Sequence, residues 1–357
     1  MFDNIDFDNL RAIGLTQTVI GRVAQIPEKE STPGARLMRV VETQRDWFTL
    51  HDGRHERPAR ALNRVVEKLQ AQASQLTVGD WAIARTDEHG ELWIEHVVEP
   101  LTQIARRAND GRRQALASNV DTALLVMGLD ADYNPRRMER YLAMVKACDV
   151  VPVVVLTKRD IGANATEKYR EICGRLPATV PVLALNALSQ EACKEIGPWL
   201  HAGQTLVMLG SSGAGKSTLT NTLSGASQDT GGVRKGDGRG MHTTTARSLH
   251  LCAQGACIID TPGLRTWRPD ALAETLAATY EDVQSLATQC QFRDCRHELE
   301  PGCAVRGMLD PDRLANYKKL LRDAQRGEMT PLRRIELRAK WKALGKAGSL
   351  RAKEKRG

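Results

Sequence analysis

The segment Leu206-Val-Met-Leu-Gly210-Ser-Ser-Gly-Ala-Gly-Lys-Ser217 decides the fold. It opens on a short apolar run of strand character, and Gly210–Ser217 fits G-x-x-x-x-G-K-[ST], a phosphate-binding loop set between a strand and a helix. Glycines there let backbone N–H groups wrap phosphate oxygens, and the start of the next helix adds favourable partial charge. On this reading Gly210, Ser211, Ser212, Gly213, Ala214, Gly215, Lys216, Ser217 and Thr218 line a nucleotide site. Lys216 would reach the outer phosphates and the Ser217 hydroxyl would ligate Mg²⁺.

Working outward, Val120–Gly128, Val151–Leu156, Val180–Leu185, Leu206–Leu209 and Ala256–Ile259 read as strands, with helical spacing over Pro135–Cys148 and Thr166–Leu176. Strands alternating with helices predict a parallel, doubly wound α/β sheet. Asp260-Thr-Pro-Gly263 ends the last of these strands. Alone it is an ordinary strand and turn; after a phosphate loop, Asp260 is placed to hold Mg²⁺ through water and the Gly263 N–H to meet a γ-phosphate. Between the two lies Gly231–Gly240, with five glycines, and then His242-Thr-Thr-Thr245. This reads as a switch segment in which one of the threonines, with Thr244 as the candidate, would complete the Mg²⁺ shell when GTP is bound.

Val153-Val-Val-Leu-Thr157-Lys158-Arg159-Asp160 is a buried strand ending in T-K-x-D. A carboxylate at Asp160 can accept from the N1–H and N2–H₂ of guanine, a donor pair adenine lacks, while the Lys158 stem lies along the base. Asn186-Ala187, at the end of the next strand, can offer a backbone N–H to guanine O6. The same tetrapeptide also suits a solvated charged loop. Taken together, Thr157, Lys158, Asp160, Asn186 and Ala187 precede the phosphate loop, whereas ordinary GTPases carry the phosphate loop first and the base reader last. The order is that of a circular permutation, feasible because chain termini lie at domain surfaces. It leads the Asp260–Gly263 segment almost directly into whatever follows it.

With 357 residues the chain can bury two or three cores, and 41% apolar against 26% charged residues places it among globular proteins. The strongest apolar run, Val150–Leu156, contains Pro152 and is far short of the about 20 residues that span a bilayer. The early Asp3, Asp6 and Asp8 do not fit a signal peptide, so a cytoplasmic, membrane-free protein is expected. From Pro331 to Gly357 ten basic residues face Glu336 and Glu354, a net +8 equal to that of the whole chain, because the other 41 basic and 41 acidic residues cancel. This tail is either a phosphate-backbone contact or a solubilising segment. At 4% aromatic content, stacking on bases is weakly supported, and Trp47, Phe48 and Trp81 read as core.

Residues 1–100 are β-rich, with runs at Thr18–Ile26, Leu37–Glu42, Asp46–His51, Trp81–Arg85 and Leu92–Val98 and a helix-like stretch over Ala61–Gln75. Five short strands predict a small barrel. Residues 101–117, with Arg106, Arg107, Arg112 and Arg113, read as a polar linker. After Pro269 the pattern is mainly helical, interrupted by Cys290-x₄-Cys295-x-His297-x₅-Cys303. Three sulfurs and one imidazole at that spacing suit a closed, structural tetrahedral Zn²⁺ site.

The permuted order, His242-Thr-Thr-Thr245, Asp260-Thr-Pro-Gly263 and the cysteine cluster resemble the bacterial ribosome small-subunit-dependent GTPase A family, as do Ala117-Ser-Asn-Val-Asp121 and Glu139-Arg-Tyr-Leu142. The resemblance implies an N-terminal OB-fold over 1–100, a permuted GTPase domain over 118–269 after the 101–117 linker, and a zinc-binding helical domain over 270–330 before the 331–357 tail. It implies binding of GTP or GDP, of the small (30S) ribosomal subunit late in its maturation and of its rRNA, with hydrolysis stimulated by the subunit. No coiled-coil seam is evident, and a monomer is expected. Leu264 stands just after D-x-x-G, where many GTPases have a water-orienting glutamine. His242 resembles a family histidine and would be either the catalytic group that orients water or a residue that packs the switch. A metabolic P-loop enzyme, such as a kinase, and an RNA-binding protein with a vestigial nucleotide site are the alternatives; GTP-versus-ATP turnover separates them.

Overall fold

A computed structural model describes residues 6–26, 33–44, 47–72, 74–107, 113–225, 247–261 and 273–328. Two short helices come first, α1 (Phe7–Ala12) and α2 (Gln17–Ala24), capped by Asp6 accepting from the Asn9 N–H and Thr16 accepting from the Val19 N–H. α2 stands where a strand was expected over Thr18–Ile26. Val19 and Val23, one helical turn apart, are both buried, so helical spacing and not strand alternation places these apolar residues.

The barrel follows: β1 (Arg36–Thr43), β2 (Phe48–His51), β3 (Glu56–Ala61), α3 (Asn63–Ala71), β4 (Trp81–Thr86) and β5 (Leu92–Val97). The order β1-β2-β3-β5-β4 returns to β1 through antiparallel pairs such as Leu37↔Ile83, which closes five strands into a barrel without free edges. β3 and β5 pair in parallel, and α3 is inserted between β3 and β4, giving the OB-fold arrangement. Val65 of α3, with Leu62, Leu69 and Leu76 around it, packs on Met38, Val40, Leu50, Ala82 and Ile94.

β6 (Gln103–Arg107) and β7 (Arg113–Ser118) pair antiparallel, so the 101–117 segment is not a plain polar linker. Ile104, Leu116 and Ala117 are buried in the large core while Arg113 is exposed, so the hairpin runs from an exposed end at Arg113 into the core.

The central sheet is built from β8 (Thr122–Gly128), α4 (Pro135–Lys146), β9 (Val151–Thr157), α5 (Ala165–Arg175), β10 (Val182–Ala184), α6 (Glu191–Ile196), β11 (Thr205–Gly210), α7 (Lys216–Ser224), β12 (Arg247–Leu251) and β13 (Cys257–Asp260). Its order is β10-β9-β8-β11-β13-β12, all parallel except β12. From β8 the chain steps outward through β9 and β10, then returns to the other side of β8 with β11. The strand order therefore reverses between β8 and β11, and the crevice beyond their carboxyl ends is where an open α/β sheet binds ligands.

β12 also pairs antiparallel with β1, at Glu42↔Ser248 and Thr43↔Arg247, joining barrel and central sheet. Arg39 seals this junction. Fully buried, it donates to the carbonyls of Ile13, Gly79 and Asn119 and to Thr205 Oγ1 at 3.0 Å, and burial holds its pKa down.

The C-terminal part is helical: α8 (Ala273–Thr279), α9 (Glu281–Ala287), α10 (Ala304–Met308) and α11 (Pro311–Glu328). Leu276, Tyr280, Val283, Val305, Leu314 and Leu320 form its core together with Ala143 of α4. Glu139 of α4, fully buried, accepts from Arg175 Nε and Arg313 Nη1, both at 2.8 Å, and from Tyr280 Oη at 3.0 Å. Asn316 Nδ2 completes this set of donors. Among the described residues no helix is long and apolar enough to cross a membrane.

Candidate functional site

β11 is buried along its whole length and delivers Gly210 to the crevice. A Cβ on Gly210 would sit 2.4 Å from the Val126 carbonyl of β8, so only glycine allows the strands this close at the loop's start. Gly215 ends the loop at φ +94°, and α7 begins at Lys216. The Lys216 side chain folds back over the loop, its Nζ donating to the carbonyls of Ser211 at 2.7 Å and Gly210 at 3.1 Å. Those carbonyls are weak partners for an ammonium, and a phosphate would replace them with full negative charge. Burial lowers the Lys216 pKa, while Asp260 and Asp132 act to raise it.

Asp260 lies opposite Met208 on the adjoining strand β13, and Thr261 Oγ1 donates to the Met208 carbonyl at 2.7 Å. Burial raises the Asp260 pKa against the pull of Lys216. Ser217 is exposed at the first turn of α7, with Thr218 behind it. A half-buried carboxylate and an open hydroxyl at this mouth are the oxygen donors a small divalent cation prefers.

The expected base reader arrives from β9. Thr157, fully buried, donates its hydroxyl to the Ala214 carbonyl at 2.6 Å, tying that strand to the phosphate loop. Lys158 adopts φ +60° and donates to the Gly213 carbonyl at 2.7 Å. A lysine in the left-handed region carries strain of about 1 kcal/mol, the kind of outlier that gathers at binding sites. Asp160 is exposed on the turn beyond it. Asn186 Oδ1 accepts from the Leu188 N–H at 2.9 Å, and the Ala187 carbonyl accepts from Thr222 Oγ1 of α7 at 2.7 Å. The phosphate loop, Thr157–Asp160, Asn186-Ala187 and Asp260 thus meet at one end of the sheet. Gly231–Gly240, His242, Thr244, Gly263, Leu264 and the 331–357 segment lie outside the described residues.

Two side chains at this end escaped the sequence reading. Asp130 Oδ2 pairs with Lys158 Nζ at 2.7 Å, and Asp132 Oδ1 accepts from Ser211 Oγ at 2.5 Å. Both sit in the turn after β8. The available signal was a pair of carboxylates at the exit of a mostly apolar strand, the same position in a βα unit as Thr157–Asp160.

In the C-terminal part, Cys290, Cys295, His297 and Cys303 each offer one ligand atom, and all four atoms lie within 4.8 Å of one another. His297 presents Nδ1, 3.5 Å from Cys303 Sγ and 3.7 Å from Cys290 Sγ. The backbone N–H groups of Val305 and Ala304, at the start of α10, hold the Cys290 thiol below its ordinary pKa. This donor set can bind a metal ion.

Comparison with known proteins agrees with this geometry. The family model described as RsgA GTPase matches residues 98–269. The chain is 43% identical over 257 residues to small ribosomal subunit biogenesis GTPase RsgA 2 of Vibrio vulnificus, covering 70% of this chain and 72% of that one. It is 41% identical over 297 residues to small ribosomal subunit biogenesis GTPase RsgA of Xanthomonas oryzae, covering 81% of this chain and 80% of that one. The solved structure of YjeQ from Thermotoga maritima superposes with a TM-score of 0.58 at 23% identity, over 82% of this chain and 99% of that one. YloQ, a circularly permuted GTPase, superposes with a TM-score of 0.55 at 20% identity, over 83% and 97%. With curated relatives this similar over most of its length, the chain belongs to the RsgA family of circularly permuted GTPases and is a GTP hydrolase.

Proposed function

We propose that this GTPase binds the small ribosomal subunit in the cytoplasm, late in the subunit's assembly, and that the subunit accelerates its GTP hydrolysis. The observation that carries the reading is the convergence of Lys216, Asp260 and Lys158 at one crevice, in a chain whose relatives are named for small-subunit biogenesis. Phosphates fit between the loop's N–H groups and Lys216, while Asp160 and the backbone at Asn186-Ala187 read guanine. Ser217 and, in the switch, Thr244 would hold Mg²⁺, with Asp260 reaching it through water, and the ion would supply neutralising charge to the phosphates. The Gly263 N–H would meet the γ-phosphate. Water attacks the γ-phosphorus, and the bridging oxygen departs with GDP. No glutamine follows the D-x-x-G motif, where Leu264 stands, so His242 takes the role of positioning that water. Cys290, Cys295, His297 and Cys303 hold one structural zinc, which fixes the loop before α10. The +8 tail adds rRNA phosphate contacts.

The test is Mg²⁺-dependent turnover of GTP and of ATP by the purified chain, alone and with small subunits. Turnover of GTP only, rising when subunits are added, is the expected result. ATP turnover on a small acceptor, or GTP turnover indifferent to subunits, would overturn it.

A further inference from the structure

We infer that Asp130 and Asp132, in the turn after β8, are positioning residues with divided duties: Asp130 orients the lysine that lies along the guanine base, and Asp132 anchors the phosphate loop. The inference rests on the GTPase reading above and goes beyond it, because neither aspartate belongs to the loop or to the base reader. The fold supplies the reason for their position. β8 and β11 are neighbours at the point where the strand order reverses, so the turn after β8 faces the loop after β11 across the crevice.

Asp130 holds Lys158 Nζ at 2.7 Å, and the Gly213 carbonyl holds it at the same distance. A lysine stem has four rotatable bonds, and a single carbonyl does not fix it. Two acceptors restrict it further, and one of them is charged. Asp130 is itself held, since its Oδ1 accepts from the Asp132 N–H at 3.1 Å. The Lys158 hydrogen bond keeps the Asp130 carboxyl below its usual pKa, so it stays ionised near neutral pH.

Asp132 acts on the other component. Its Oδ1 accepts from Ser211 Oγ, the second residue of the phosphate loop, and its Oδ2 accepts from the Gly128 N–H at 3.2 Å. A bare carboxylate beside a triphosphate would repel it. Arg137, in the first turn of α4, pairs with Asp132 at 2.6 Å and neutralises it. Both acidic groups are thus compensated, which lets them serve as anchors next to an anionic ligand.

The two duties separate in affinities. Full-length wild type, Asp130→Ala, Asp130→Asn and Asp132→Ala are titrated with GDP and with ADP, and thermal melting controls for folding. Asp130→Ala should weaken GDP about five- to tenfold and leave ADP within twofold, because ADP draws nothing from the base reader. Asp130→Asn, whose amide oxygen still accepts from Lys158, should recover most of that loss. Asp132→Ala should weaken GDP and ADP by the same factor and leave their ratio unchanged. Equal losses for both nucleotides in Asp130→Ala, an unchanged GDP affinity in that variant, or an altered ratio in Asp132→Ala would each overturn the division. A wild-type protein that does not prefer GDP to ADP would instead overturn the guanine reading itself, and this inference with it.

Discussion

Replacing Glu139 by alanine should release the C-terminal helices from the central domain, and the structure sets the size of the effect. The carboxylate is fully buried and accepts from Arg175, Arg313, Tyr280 and Asn316. Removing one partner from a buried ion pair costs about 3–5 kcal/mol, chiefly because the other charge is left behind. Here the arginines are not wholly abandoned. Arg313 keeps Asp282 at 2.6 and 2.8 Å and its place over the Tyr280 ring, and Arg175 keeps Asp312 at 2.9 Å. Those carboxylates are partly exposed and hold their charges in a wetter setting. Tyr280 and Asn316 lose a buried acceptor, about 1 kcal/mol each. The lower end of the range, about 3 kcal/mol, follows. Because the loss falls on a junction, the assay is native-state hydrogen exchange of α11 amides alongside urea unfolding. A loss of 3 kcal/mol corresponds to about 100-fold faster exchange where protection reflects undocking of these helices. Glu139→Gln, keeping the shape but only one neutral acceptor oxygen, should fall between. Exchange in α11 that changes less than about threefold, with global stability intact, would refute the claim that this carboxylate holds the two parts together.

Four further outcomes are expected. Burial pushes the Asp80 carboxyl up to about 7, against the pull of the Thr77 N–H, Ser118 and Arg39. Its folded value lies above the unfolded one, so the cost of ionising it is absent below about pH 4 and complete above about pH 7; Asp80→Asn should therefore gain about 2–3 kcal/mol on wild type between pH 5 and 8 in urea unfolding, and an advantage that shrinks over that range would contradict it. Purified protein should contain one zinc per chain, and its removal or Cys303→Ser should loosen residues 290–308 while GDP binding persists; a metal-free preparation with that segment still protected from exchange speaks against the site. His242→Ala should lower subunit-stimulated turnover by about 100-fold with GTP binding retained, whereas unchanged turnover assigns His242 to packing. Deleting residues 331–357 should flatten the salt dependence of subunit association, and an unaltered slope would leave the tail without that role.

What was legible in the sequence depended on how local the determining contacts are. Gly210–Ser217 and Val153–Asp160 carry their conformation within a dozen residues, through apolar strands and glycine turns, and the structure brings them together. β3 and β12 escaped because they are specified by partners far along the chain. β3, with Pro58 and two arginines in six residues, pairs with β2 and β5, and β12, with Arg247 and His250, bridges β13 and β1. Their own side chains show no clean alternation, so their register comes from neighbours. α2 was misread for a related reason: in a short apolar run, two valines four apart fit a helix as well as a strand, and the Thr16 cap decides between them. Asp130 and Asp132 stayed hidden because their partners Lys158 and Ser211 lie 28 and 79 residues away in sequence and meet them only through strand order.

Circular permutation gives this strand order a mechanical consequence. In the chain as it stands, β13 ends at Asp260 and α8 begins at Ala273, so the crevice-side end of β13 and the C-terminal helices are close in sequence. The described residues connect the two parts through α4. Its first turn carries Arg137, which holds Asp132 beside Ser211, and Arg136, which pairs with Asp312 of α11; Glu139 lies one residue past that turn. At 1.5 Å per residue these groups span about 5 Å of one helix, too short a length to bend. The phosphate loop and the C-terminal helices therefore share a rigid support. The turn after β8 cannot shift against the loop without either breaking the Asp132–Arg137 pair or carrying α4, and with it the Glu139 junction, along.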